Sequence, residues 1–247
     1  MTERHHFILS DNQIKGKHFH LNGGEGHHLS HVARIGVGDE VYLIDTRGRA
    51  YRAAVDSVGE GGVNGSILDV IEDYHEPAVK IHLGIAILKG ARLAMVAEKG
   101  TELGVASVTP LILKRNVKTG VNRNRLANVA RSATKQCGRG RVPIINEPAS
   151  LGEWCLGMKA GCAALLHNSD SAKPMADWLR QMPDHISDVW LTVGPEGGFD
   201  DEELQSVSQS GIEAVSLGKR RLRAETAAIS AMTLVDHYFA FRGEHGA

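Results

Sequence analysis

The stretch LTVGPEGGFDDEEL, Leu191 to Leu204, runs from an apolar strand through a turn with three glycines and a proline into a run of acids. A glycine-rich turn between a strand and a helix ordinarily suggests phosphate binding, because bare backbone N–H groups at a helix start attract anions. Here the following residues argue otherwise. Asp200 falls at the N-cap with Glu203 three residues later, a capping box, and Phe199 and Leu204 take the staple positions. The helix therefore supplies its own anions. With Asp200, Asp201, Glu202 and Glu203 in one turn, an incoming pyrophosphate meets repulsion where a dinucleotide fold offers attraction. The stretch is read as holding an uncharged, zwitterionic or cationic ligand, or as a tight turn with no ligand at all.

Working outward, the same alternation recurs. From Val79 onward short apolar strands are expected near VKIHLGIAI, SVTPLIL, VPIIN, CAALLH, DVWLTV and EAVSL. Helices are expected near RLAMVAEKGTEL, NRLANVARSATKQC, LGEWCLGM, AKPMADWLRQM, DEELQSVSQ and ETAAISAMTLVDHYFAF, with Gly104 as a helix stop. Strands alternating with helices predict an α/β domain with a mainly parallel sheet covered on both faces. Ligands of such sheets bind beyond the carboxyl ends of the strands, which nominates the loops at Lys89–Ala91, Arg115, His167–Asp170, Gly194–Gly198 and Gly218–Arg223. Before Tyr74 the signals are strand-like, with one helical stretch, HHLSHVARI, and the glycine-rich EGGVNG as a hairpin loop. A small β domain over 1–75 and an α/β domain over 76–247 follow, with Glu76-Pro77 as the boundary.

A chain of 247 residues, 42% hydrophobic, can build one or two proper cores. No apolar run approaches the roughly 18 residues that cross a bilayer, and the start carries no signal-peptide core, so no membrane partner and a cytoplasmic location are expected. The three cysteines, Cys137, Cys155 and Cys162, lack the paired spacing of a zinc site and read as reduced thiols. His27, His28 and His31 stand at helical spacing, but without a cysteine or acid cluster beside them no metal is expected. Net charge is only −1, yet its distribution is uneven. From Lys114 to Arg141 stand nine Lys or Arg (Lys114, Arg115, Lys118, Arg123, Arg125, Arg131, Lys135, Arg139, Arg141) and no acid, and Lys219, Arg220, Arg221 and Arg223 form a second cluster. Such a face is the footprint of a polyanion partner, nucleic acid above all, unless acids elsewhere in space neutralise it.

The second informative stretch is VSLGKRRLRAETAAISAM, Val215 to Met232. A strand ends at Leu217, Gly218 permits close backbone approach, and a helix begins near Ala224 with Glu225 in its first turn. Ala224, Ala227, Ala228, Ser230 and Ala231 let another backbone segment pack closely there, or are simply good helix formers. These stretches, with KGTELGVASVTPLILKR at Lys99 to Arg115 and QCGR at Gln136 to Arg139, resemble the RsmE-type ribosomal RNA methyltransferases of the SPOUT superfamily. HHLSHVARIGVGDEVYLID is similar to that family's PUA-like RNA-binding barrel.

The resemblance implies a trefoil-knotted α/β domain, a homodimer, S-adenosylmethionine as cofactor, and methyl transfer to N3 of a uridine in small-subunit (16S) ribosomal RNA. It implies cofactor contacts from Leu166 and His167, from Gly194, Pro195, Glu196, Gly197 and Gly198, and from Leu217, Gly218 and Leu222, with the adenine against Leu217 and Leu222. Arg221 and Lys135 depart from the family's aliphatic and acidic residues and add positive charge. Loss of the N3 proton spreads negative charge onto the base's carbonyl oxygens, which a cation or oriented donors beside them would stabilise. Arg223 or Arg139 are the candidates, with Gln136 orienting the base and Glu225 as a proton acceptor. Phosphate contacts are expected from Arg115, Arg123, Arg125, Arg131, Lys219 and Arg220. Other classes stay in view: a non-catalytic ribosome-assembly factor with the same fold, a methyltransferase acting on another RNA, and a dehydrogenase. The last lacks its G-x-G-x-x-G, since Ile85 to Leu93 reads IAILKGARL.

Overall fold

The computed structural model of the chain describes residues 5–117, 120–158, 162–183 and 185–244; Lys118 of the basic stretch lies outside them. The chain divides into two compact units, Met1–Glu76 with Ser132–Val142, and Pro77–Arg131 with Pro143–Ala247. The break falls between Glu76 and Pro77, so Glu76 counts with the first unit and not, as in the expected 76–247 span, with the second. Residues 132–142, the end of the basic stretch, count with the first unit, and no shift in composition marks that exchange.

The first unit is a barrel-like sheet of β1 (His6–Ile8), β2 (Ile14–Lys15), β3 (His18–Leu21), β4 (Glu40–Ile44), β5 (Ala50–Gly59) and β6 (Gly62–Ile71), ordered β1-β4-β5-β6-β3-β2. Period-two alternation builds its core: in β3, Phe19 and Leu21 point in while His18 and His20 face out. Register shifts in β5 at Arg52/Ala53 and Val55/Ser57 are bulges that bend the long hairpin. The bend brings backbones together at Gly65, where a Cβ would stand 2.1 Å from the Ala54 carbonyl oxygen. The turn between β5 and β6 is only Glu60 and Gly61; the rest of EGGVNG, expected as a hairpin loop, is the start of β6, with Gly62 paired to Gly59. In place of a single helix, HHLSHVARI forms the end of α1 (Gly23–His27) and a π-helical turn over His28–Val32, which stacks the His27 and His31 rings 4.4 Å apart.

In the second unit, parallel strands β7 (Lys80–Ala86), β8 (Val105–Ile112), β9 (Ile144–Ile145), β10 (Ala149–Ser150), β11 (Cys162–Leu166), β12 (Lys173–Pro174), β13 (Asp188–Val193) and β14 (Glu213–Ser216) form one sheet. Its order is β10-β8-β7-β13-β11-β14-β12, with β9 beside β8. Helices α2 (Arg92–Glu102), α3 (Arg123–Cys137), α4 (Leu151–Leu156), α5 (Met175–Arg180), α6 (Asp201–Gln209) and α7 (Ala224–Glu244) intervene or follow. β7 and β13 are buried on both faces, as a sheet covered on two sides requires. Gly104 ends α2 at φ +82°, and its missing Cβ leaves room for Pro77. Along α7 the small residues are used for close approach: Ala228 and Ala231 are fully buried, and Met232 lies 3.4 Å from where a Cβ on Gly100 of α2 would stand. Among the described residues no helix is long and apolar enough to cross a membrane.

Candidate functional site

β13, β11 and β14 are neighbours in the sheet, so the loops after them open side by side at one edge. Each loop has its own local cause. After β13, Gly194 is required because a Cβ would lie 2.7 Å from the Phe199 ring, and Gly198 turns the chain at φ +72° while its N–H donates to the Pro195 carbonyl at 2.9 Å. After β14, Gly218 adopts φ +115°, closed by the Ser216 hydroxyl, which accepts from the Gly218 N–H at 3.1 Å and donates to its carbonyl at 3.2 Å. After β11, the His167 N–H donates to the Val215 carbonyl at 2.9 Å, extending the ladder.

Together these loops wall a cavity of about 320 Å³. All ten residues expected to contact a cofactor line it: Leu166 and His167, the five from Gly194 to Gly198, and Leu217, Gly218 and Leu222. The sequence reading missed Val193, Val215, Ala224 and Ala227, which complete its apolar wall. Their signal was present as strand-end and helix-start residues on each side of the glycines. The volume is that of a small-molecule site, and one apolar wall facing exposed backbone suits a flat, partly polar ligand.

The acidic helix start behaves differently from the expectation. The Asp200 side chain accepts from the Glu203 N–H at 2.7 Å and the Glu203 carboxylate accepts from the Asp200 N–H at 2.9 Å, the expected box. The second Glu203 oxygen accepts from the Lys114 N–H at 2.8 Å, while the Lys114 ammonium pairs with Asp200 at 2.9 Å and with Glu202. None of Asp200 to Glu203 lines the cavity, and the charged residues that do are Arg115, Arg220, Arg221 and Glu196. Anionic repulsion at the ligand site is therefore corrected: Asp200, Glu202 and Glu203 are engaged by protein groups, none of the four acids faces the cavity, and its rim is cationic. Arg115 and Arg221 also fix the turn, donating to the Gly197 carbonyl at 2.9 Å and to the Glu196 carbonyl respectively.

The Glu203 N–H, with Lys114 second, holds the Asp200 carboxyl below its ordinary range. A depressed carboxyl stabilises the fold above its unfolded pKa and loses that contribution as pH falls through the folded value. Asp200→Ala should accordingly lower the melting temperature at pH 7, with the gap from wild type narrowing below about pH 4. Calorimetry across that range checks it, and a gap constant with pH would disprove it.

Of the expected catalytic set, Arg223 is exposed immediately before α7 and its side chain makes no ion pair among the described residues, although it lies outside the cavity lining. Glu225 is 8% exposed, is not in the lining, and stands 3.7 Å from Arg92. It is a buried charge with a counter-ion, not an open base. Gln136 is exposed near the end of α3. Arg139 departs from its expected role: only 3% exposed, it donates Nη2 to Glu76 Oε2 at 2.7 Å and Nε to Oε1 at 3.3 Å. A guanidinium enclosed with its own carboxylate is not available to RNA.

The basic stretch is likewise less cationic in space than along the chain. Lys114, Arg123, Lys135 and Arg141 pair with acids, Arg123 with Glu147 and Lys135 with Glu25 at 2.9 Å. The charge that Lys135 adds is thus offset. Among the described residues Arg125 and Arg131 make no ion pair, nor do Lys219 and Arg220.

A three-loop glycine pocket at the carboxyl edge of a parallel α/β sheet, in a chain that also carries a barrel-like β unit, defines an RNA methyltransferase class. The family model for the RNA methyltransferase domain matches residues 75–236, and that for the RNA methyltransferase PUA domain matches 21–68. The ribosomal RNA small subunit methyltransferase E of Rickettsia conorii is 30% identical over 213 residues, 85% of each chain. A methyltransferase from Legionella pneumophila, solved in complex with the bound cofactor SAM, superposes with a TM-score of 0.80 at 32% identity, covering 96% of this chain and 98% of that one. The ribosomal RNA small subunit methyltransferase E of Neisseria gonorrhoeae, bound to S-adenosyl methionine, gives 0.83 at 26% identity with the same coverage. The chain belongs to the ribosomal RNA small subunit methyltransferase E family.

Proposed function

We propose that the protein transfers a methyl group from S-adenosylmethionine to N3 of a uridine in 16S ribosomal RNA, working as a cytoplasmic homodimer. The observation that carries this reading is the cavity, whose lining joins three loops far apart in sequence into one glycine-rich, half-apolar cradle. Its chemistry fits the cofactor. Leu217 and Leu222, with Val193, Val215 and Ala227, provide an apolar wall for an adenine, and Gly194 to Gly198 offer backbone polar groups without side-chain obstruction. Arg115 and Arg220 suit the carboxylate of an amino acid tail, and the Glu196 carboxylate suits a cationic centre.

When bound, the cofactor supplies an electrophilic methyl on a sulfonium. What the chain contributes is positioning, the larger part of catalysis for a direct transfer. Arg115 and Arg221, by holding the carbonyls of Gly197 and Glu196, fix the turn that faces the cofactor. Arg223, exposed immediately before α7, stabilises negative charge on the uridine carbonyl oxygens as the N3 proton passes to solvent water. Gln136 orients the base. Arg123, Arg125 and Arg131 on α3, with Lys219 at the loop before α7, bind phosphates, and the unpaired Arg125 and Arg131 contribute most of that attraction.

The test is methyl transfer from labelled S-adenosylmethionine to small ribosomal subunits from a strain lacking the activity, followed by nuclease digestion and nucleoside mass spectrometry. Labelled 3-methyluridine is expected. A different methylated nucleoside would overturn the base assignment alone, and binding of RNA and cofactor without transfer would overturn the reaction on this substrate.

A further inference from the structure

One guanidinium stands behind the cavity instead of in it. Arg92, the first residue of α2, donates Nε to the Lys89 carbonyl at 3.2 Å. Its Nη1 contacts the Glu196 carboxylate and lies 3.7 Å from Glu225 Oε2. Those two carboxylates belong to different elements, of which only Glu196 lines the cavity. Glu196 sits in the turn after β13, whereas Glu225 is in the first turn of α7, flanked by the lining residues Ala224 and Ala227. Glu225 is 8% exposed and its Oε2 accepts no hydrogen bond among the described residues. A buried carboxylate oxygen in that state depends on a nearby cation, and Arg92 is the cation it has. The Glu196 carboxyl is held below its ordinary range first by its own backbone N–H and then by Arg92.

We propose that Arg92 is a positioning residue for the cofactor loops: its fork fixes the turn Gly194–Gly198 against the start of α7, and so sets the width of the cavity, without touching the ligand. This inference rests on the reading of the cavity as the S-adenosylmethionine site. Nε and Nη1 are rigidly related in the planar guanidinium, so the Nε bond to the Lys89 carbonyl aims Nη1 at the Glu196 carboxylate with Glu225 Oε2 3.7 Å away, whereas an ammonium has no second anchored nitrogen.

The experiment measures S-adenosylmethionine affinity by calorimetry, and KM and kcat for transfer, in wild type, Arg92→Met, Arg92→Lys, Glu225→Gln and the double variant Arg92→Met with Glu225→Gln. Arg92→Met should raise Kd and KM for the cofactor about 10- to 100-fold, with kcat at saturating cofactor within about threefold of wild type. Arg92→Lys should recover part of the loss. Glu225→Gln should weaken binding alone and add little to Arg92→Met, because one linkage is being broken twice. Wild-type affinity in a folded Arg92→Met protein overturns the inference, as does a fall in kcat at unchanged KM, which would make Arg92 a catalytic contact. Should Arg92→Met not fold, the same decision rests on Arg92→Lys and Glu225→Gln, and wild-type affinity in both overturns it. A wild-type protein that binds no S-adenosylmethionine overturns the cofactor reading, and this inference with it.

Discussion

Gly194→Ala protein is expected to bind S-adenosylmethionine far more weakly than wild type while remaining folded. The backbone at Gly194 is not in the left-handed region, so alanine meets no conformational objection there. The objection is steric: the added methyl would stand 2.7 Å from Phe199 Cε2 and 3.0 Å from Cζ. Phe199 cannot retreat freely, being 4% exposed in the main core and adjacent to the N-cap Asp200. The turn or the ring must shift, and both line the cavity. Adding a methyl to a packed site costs about 1–3 kcal/mol. Expressed in binding, that is a factor of roughly 5 to 150 in Kd. Phe199→Leu in the same chain removes the obstructing ring edge and should restore much of the affinity, which a general loss of stability would not allow. Calorimetric titration of the single and double variants decides it. Unchanged affinity in Gly194→Ala, or no recovery in the double variant, would refute the steric account.

That cavity could be located from sequence because its walls obey local rules. Each loop follows an apolar strand, contains glycine where the backbone must turn or approach closely, and leads toward a helix start. The capping box at Asp200 and Glu203 is local in the same sense, and it forms as the spacing predicts. Ion pairing is not legible in the same way, since it is decided by residues distant along the chain. Lys114 meets Asp200 and Glu202 across more than eighty positions, Lys135 meets Glu25 across 110, and Arg139 meets Glu76 across 63. An acid-free run of 28 residues therefore looks like a cationic face in sequence and is largely neutralised in space. The same limit hid Arg92, whose partners lie in the turn after β13 and the first turn of α7, and the grouping of residues 132–142 with the first unit. The expectation of an anionic helix start failed for the complementary reason. Counting acids ignores the donors that fold against them.

Glu76→Ala is expected to be the most destabilising single change in the first unit, and Arg139 is the reason. The Glu76 carboxylate receives Arg139 Nη2 at 2.7 Å, Arg139 Nε at 3.3 Å and the Arg141 N–H at 2.9 Å, with side-chain exposures of 9% for Glu76 and 4% for Arg139. The turn bearing Arg139 is fixed from the other side as well, since a Cβ on Gly138 would strike the His6 ring at 2.6 Å and the Gly138 carbonyl lies 2.8 Å from His75 Nδ1. Removing Glu76 breaks a buried ion pair, at a cost of about 3–5 kcal/mol. In a chain of this size that lowers the melting temperature of the affected unit by roughly 6 to 20 °C. Replacing both partners with apolar groups of similar volume, Arg139→Met with Glu76→Leu, removes both buried charges and should regain most of the loss. The double variant then separates two roles for Arg139. If the guanidinium stabilised charge on the reacting base, its loss would cut kcat about 100- to 1,000-fold even in a restored fold. With Arg139 enclosed against Glu76, methyl transfer by the stable double variant should stay within about threefold of wild type, while Arg223→Met, which removes an exposed cation at the start of α7, should carry the large loss.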